Sequence, residues 1–169
     1  MTETAIANWR RIAVAAKAAG IECLLFEPMS VPREFAHTIA ETHKLLDRVN
    51  AAIALPMKLC LDVDHGDVLS PDPRDLDPYA WLEEFAVVSP VVHIKQSSRD
   101  KSSHWPFTAD HNRRGIIRPE KVLAALEKGG AGEVKLTFEC KWRERTPTDY
   151  RIVSDLKESV AYWRTCVKD

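Results

Sequence analysis

Short apolar runs alternate with helix-period segments along the 169 residues of the chain, and the connections between successive apolar runs contain helical patterns. Strands joined through helices run parallel, so the alternation implies an α/β fold with a parallel sheet. Residues 5–19 place Ile6, Trp9, Ile12, Ala13 and Ala16 on one helical face, closed by Gly20. The run 21–26 suggests a strand buried on both faces, ending at Glu27 and Pro28. A second helix is expected from Pro32 to Ala52, with Phe35, Ile39, Leu45, Leu46 and Val49 on its apolar side. Further strands are expected over 58–63, 87–95 and 133–140, and further helices around 79–85, 119–128 and 148–167. The proline- and aspartate-rich segment 68–78 reads as a loop. The polar stretch 96–118 exceeds the roughly 12–15 residues of an idle connection, which suggests a lid or binding loop. No linker or low-complexity segment interrupts this order, so residues 1–169 read as a single domain.

Composition narrows the functional classes. Lysine and arginine number 24 against 25 acidic residues, a net charge of −1, which does not advertise a nucleic-acid partner. No apolar run approaches the roughly 18–20 residues of a membrane span, and the opening segment lacks the order of a signal peptide, so the cytoplasm is the expected location. Cys23, Cys60, Cys140 and Cys166 are widely spaced, with no CxxC pair, and read as free, buried thiols.

Chemistry-bearing residues fall at the ends of the expected strands: Glu27, Asp62, His93 and Glu139. In parallel α/β folds ligands bind at that edge, because the strand-to-helix loops open there. A carboxylate at the end of an apolar run is costly unless a cation accompanies it, and four convergent ligands are explained economically by one shared divalent ion. Three carboxylates and one imidazole suit Mn²⁺, Mg²⁺ or Co²⁺ better than a structural zinc. His37 and His43 lie in a helical pattern and read as solvated, whereas His104 and His111 in the long polar stretch could serve structure or function.

The segments LLFEPMSVPRE, LCLDVDHGD, VVHIKQSSRDK, HWPFT and LTFECKWRER together resemble the sugar phosphate isomerase/epimerase family, the xylose-isomerase-like TIM barrels, and within it the tetrulose-phosphate 3-epimerases. The resemblance implies that Glu27, Asp62, His93 and Glu139 are metal ligands, with Mn²⁺ the leading candidate ion. It implies that Glu27 and Glu139 are also the acid-base pair, and that His65 and Arg145 contact substrate. Arg33 stands where related free-ketose epimerases carry an acidic contact, which favours an anionic sugar phosphate as the small-molecule partner. Lys95 shares a strand face with His93 and is the first choice for a phosphate-binding cation, with Ser97 as a neutral donor. Trp105 either closes over substrate or anchors the long loop.

A TIM barrel needs eight strand-helix units and about 250 residues, so four units amount to a half-barrel, here the C-terminal half. Such a sheet leaves two edges unpaired and one face uncovered. The expected remedy is a missing N-terminal half-barrel or a homodimer; otherwise the chain is an incomplete copy, inactive by itself.

Overall fold

In a computed structural model, residues 3–31, 33–51, 53–66, 69–99, 101–142 and 149–167 are described. The elements are α1 (Glu3–Ala18), β1 (Leu24–Phe26), α2 (Ile39–Asn50), β2 (Met57–Asp62), α3 (Pro78–Phe85), β3 (Val91–Ile94), β4 (Gln96–Ser98), β5 (Lys101–Trp105), α4 (Ala109–Arg114), α5 (Pro119–Lys128), β6 (Lys135–Phe138) and α6 (Ile152–Trp163). Four strands form a parallel sheet in the order β1-β2-β3-β6, and β4 and β5 form a separate antiparallel hairpin.

The pleat of the sheet separates two environments. Met57, Leu59 and Leu61 of β2 and Val92 and Ile94 of β3 are buried in one core with Leu45 and Val49 of α2, Trp81 and Phe85 of α3, and Val122 of α5. Each such side chain contributes about 1.5–3 kcal/mol when fully buried. The alternate positions face the other way, where Cys60 and Asp62 of β2 are buried but the outer strands are less covered. Leu25 on β1 is 41% exposed, Ile21 just before it is 50% exposed, and Lys135 and Thr137 on β6 are exposed. The expectation of a first strand buried on both faces is therefore corrected: helices cover one face, while among the described residues no layer lies on the inner face of the edge strand.

Two further expectations shift for local reasons. Helix α2 begins at Ile39, because Thr38 is extended and its side chain accepts the backbone N–H of Glu41, the Thr-x-x-Glu pattern of a capping box. Phe35, expected on the helix's apolar face, lies before it and is 41% exposed, while Pro32 and Ala52 lie outside the described residues. Strand β3 starts at Val91, because Ala86–Val88 form a turn of 3-10 helix first. The long polar stretch is largely ordered: it holds the β4–β5 hairpin and α4, stitched to the body by Gln96, whose Nε2 donates to Ile117 O at 2.9 Å and whose Oε1 accepts Ile117 N at 2.9 Å.

Candidate metal centre at the carboxyl edge of the sheet

Parallel register sets the site. Phe26 pairs with Leu59, Asp62 with His93, and His93 with Thr137, so Glu27, Asp62, His93 and Glu139 all fall on one face of the sheet, opposite the face of Leu59 and Val92 that packs on the helices. Glu139 is held there by its own N–H, which donates to Ile94 O at 3.0 Å. One ligand atom from each of Glu27, Asp62, His93 and Glu139 lies within 4.8 Å of the others.

His93 is the sharpest probe of what the cluster can hold. Its Nδ1 is buried and has no hydrogen-bond partner among the described residues. It faces Glu27 Oε1 at 3.4 Å, Asp62 Oδ2 at 4.0 Å and Glu139 Oε2 at 4.0 Å. Donor atoms about 2.1 Å from a common ion stand about 3–4.2 Å from one another, so this spacing fits a shared divalent cation. The opposite ring nitrogen, Nε2, lies 3.3 Å from Cys60 Sγ. Burial, then the charges of Glu27, Asp62 and Glu139, push the Cys60 thiol up to about 11, so it stays protonated.

Lys95 departs from its expected role. Its side chain is wholly buried, and Nζ lies 2.6 Å from Asp62 Oδ2, 2.7 Å from Glu139 Oε2 and 3.1 Å from Asp64 Oδ1, with His104 Nε2 at 3.0 Å. Its three N–H donors are thereby engaged inside the protein, which leaves none directed at a substrate phosphate. Burial alone would lower the lysine pKa; the charges of Asp62 and Asp64 outweigh it and hold the ammonium above its ordinary value. Burial, the hydrogen bond with Glu139 and the charge of Asp64 push Asp62 above the usual carboxylate range. Burial opposes charge on Glu139 as well, but its hydrogen bonds with Asp62 and Lys95 prevail and hold it below that range.

The remaining candidates divide. His65 reaches the cluster, with Nδ1 2.9 Å from Pro28 O and 3.5 Å from Glu27 Oε1 and Nε2 3.8 Å from Asp62 Oδ2. Burial and the Lys95 charge lower its pKa, which favours a neutral ring. Ser97 Oγ is buried and donates to Asp64 Oδ2 at 2.7 Å, so it orients that carboxylate. Trp105 stacks on His111, centroids 5.0 Å apart, with the Arg114 guanidinium 4.9 Å from its ring centre, an arrangement that anchors the hairpin. The Arg33 side chain is 86% exposed and stands 4.0 Å from Glu34. Arg145 lies outside the described residues.

Two groups at the site went unassigned in the sequence. Asp64 is half-buried and receives Lys95 and Ser97; its spacing from Asp62 in the DVDH run was the available signal. His104 adopts a positive φ of 48° and brings Nε2 to 3.8 Å from Glu139 Oε2. It is delivered by the hairpin, which the polar sequence did not disclose.

No protein-family model matches the chain. Over 164 residues, 96% of its length, the chain is 46% identical to D-erythrulose 1-phosphate 3-epimerase of Brucella abortus. It spans about half of that relative, 53% of its length. Among solved structures, it superposes with a TM-score of 0.78 on a Rhodospirillum rubrum protein assigned as a xylose isomerase, at 20% identity, covering 97% of this chain and 54% of that one. It matches an L-ribulose 3-epimerase with a TM-score of 0.57 at 22% identity, covering 97% of this chain and 47% of the other. A third match is the Escherichia coli 3-keto-D-glucoside 4-epimerase, with a TM-score of 0.63 at 15% identity, over 95% of this chain and 52% of that one. The chain is thus a relative of D-erythrulose 1-phosphate 3-epimerase over about half of that protein's length, built as half of a xylose-isomerase-like β/α barrel.

Proposed function

We propose that the chain carries the catalytic edge of a metal-dependent sugar phosphate epimerase that inverts C3 of a ketotetrose phosphate, erythrulose 1-phosphate, in tetritol catabolism. The observation that carries the reading is the convergence of Glu27, Asp62, His93 and Glu139 around a buried, unbonded His93 Nδ1. The similarity to an erythrulose 1-phosphate 3-epimerase supports the substrate class.

A hydrogen beside a ketone is only weakly acidic, so its removal needs both a placed base and stabilisation of the enediolate. A divalent ion held by Glu27, Asp62, His93 and Glu139, with Mn²⁺ preferred and Mg²⁺ or Co²⁺ also suited to the donors, supplies positive charge against the enediolate oxygens. Glu27 follows β1 and Glu139 follows β6, the two outer strands of the sheet, and this placement supports assigning them to opposite faces of the substrate. One carboxylate takes the C3 proton; the electron pair of the C–H bond passes into the enediolate. The other carboxyl group returns a proton to the opposite face of C3, which inverts that carbon. A phosphate ester on C1 prevents that carbon from becoming an aldehyde, which directs proton transfer to C3.

A second reading, an isomerase or epimerase of an unphosphorylated ketose, is favoured by Lys95, whose ammonium is consumed by Asp62, Asp64 and Glu139. An N-terminal half-barrel or a second copy of the chain is proposed to cover the inner face.

The test is exchange of the C3 hydrogen in heavy water with Mn²⁺ present, comparing erythrulose 1-phosphate with free erythrulose and using Glu139→Gln as control. Exchange of the phosphate ester alone, lost in the variant, is the expected result. Exchange confined to the free ketose would establish the second reading. No exchange by the complete, metal-loaded assembly would defeat both.

A further inference from the structure

Asp62 Oδ2 and Glu139 Oε2 serve two cation positions at once. Each lies 4.0 Å from His93 Nδ1, on the side where the proposed metal would bind, and each also receives the Lys95 ammonium, at 2.6 and 2.7 Å. Four carboxylates, those of Glu27, Asp62, Asp64 and Glu139, gather around this point, and Lys95 is the wholly buried cation among them. Clustered carboxylates with no cation among them in a partly dry site are strongly destabilising, whereas an ammonium already seated relieves their repulsion. An ammonium hydrogen-bonded to an oxygen's lone pair also competes with any other cation for it.

We propose that Lys95 is a built-in counter-cation that sets the metal affinity of the site: it holds the carboxylates together without a metal and competes with an incoming divalent ion for Asp62 Oδ2 and Glu139 Oε2. The inference rests on the metal-centre reading above. It runs opposite to the usual role of a residue that merely orients ligands, since removal of such a residue weakens metal binding about 10–100-fold.

The sign of the effect decides the matter. Mn²⁺ affinity is measured by calorimetric titration for the wild-type chain, Lys95→Met, which keeps the length of the stem, and Lys95→Arg, which keeps the charge. The Met variant is expected to bind Mn²⁺ at least about tenfold more tightly, with the Arg variant within a few-fold of wild type. The thermal midpoint of the Met variant should also depend far more steeply on Mn²⁺, and its refolding by Mn²⁺ after loss of structure in chelator would support the proposal. Unchanged or weaker binding by the Met variant overturns the proposal while leaving the metal centre intact. Absence of binding by both chains overturns the metal centre and the proposal together. If the Met variant does not fold even with Mn²⁺, the wild-type chain decides: the Lys95 ammonium nitrogen resonance should shift on titration with Mg²⁺, and a bound state that leaves it unmoved overturns the proposal.

Discussion

Cys60 Sγ lies 3.3 Å from His93 Nε2, the ring nitrogen opposite the one that faces the carboxylates of Glu27, Asp62 and Glu139. With Nε2–H donating to sulfur, the lone pair of Nδ1 points at the cluster, the tautomer that a metal ligand requires. Cys60→Ala removes this partner and is expected to weaken Mn²⁺ binding about tenfold, with Cys60→Ser losing less. Calorimetric titration checks this, and equal affinity for all three chains would show that the thiol does not orient the ring.

Asp75 sits in the proline-rich segment that reads as a loop, yet it is only 4% exposed. Its Oδ1 accepts Ile39 N at 2.8 Å, at the first turn of α2, and its Oδ2 accepts Ser70 Oγ at 2.6 Å. Asp75→Ala leaves a buried backbone N–H without a partner and should cost ~1–3 kcal/mol. Urea unfolding followed by circular dichroism would measure it; a change below about 0.5 kcal/mol would count against the assignment.

Gln96 joins the hairpin to the entry of α5 through both polar groups of Ile117, and its side chain is wholly buried. Gln96→Leu conserves much of the volume and removes the side-chain acceptor of two buried backbone N–H groups, those of Ile117 and Ser97, while Ile117 O keeps Arg118 Nη1 at 3.0 Å; the expected cost is ~2–4 kcal/mol. Loss of hairpin order should accompany it, visible as faster amide exchange over 97–105.

Glu84 accepts Arg74 Nη2 at 2.7 Å and lies 2.8 Å from His43 Nε2, on the surface between helix α3 and its neighbours. Hydrogen bonds from Arg74 and His43 lower its pKa. A depressed carboxylate pKa contributes stability above the unfolded value that disappears as pH falls through the folded value. Glu84→Gln should therefore cost at most ~1 kcal/mol near neutral pH, a cost that fades as pH falls through the lowered folded pKa and shrinks in about 1 M salt. Melting curves across pH and salt provide the check; a difference that persists in acid would exclude an ionic origin.

Addition of Mn²⁺ should raise the thermal midpoint, because a ligand bound only by the folded chain stabilises it by about 2.7 kcal/mol at 100 times its dissociation constant. The increase should vanish in His93→Ala. A midpoint indifferent to Mn²⁺ in the wild-type chain would remove the metal centre from consideration.

Periodicity determined the parallel α/β order by itself, because the spacing of Leu45, Leu46 and Val49 or of Val122 and Leu126 marks a helical face in any context. The same reasoning placed Glu27, Asp62, His93 and Glu139 at strand ends, and the tertiary structure brings them together because the parallel register turns all four to one face of the sheet at its carboxyl edge. The hairpin that delivers His104 was not legible, since Gln96–Ser98 and Lys101–Trp105 carry no apolar alternation and are fixed by Gln96 bonding to Ile117, 21 residues away. Nor could the sequence reveal what Lys95 does. Its position two residues after His93 fixes the face of the strand, and an exposed ammonium there would suit a phosphate. Only the folded chain shows Asp62, Asp64 and Glu139 converging on it. Charge pairing between residues up to 44 positions apart depends on distance in space, which local pattern does not encode.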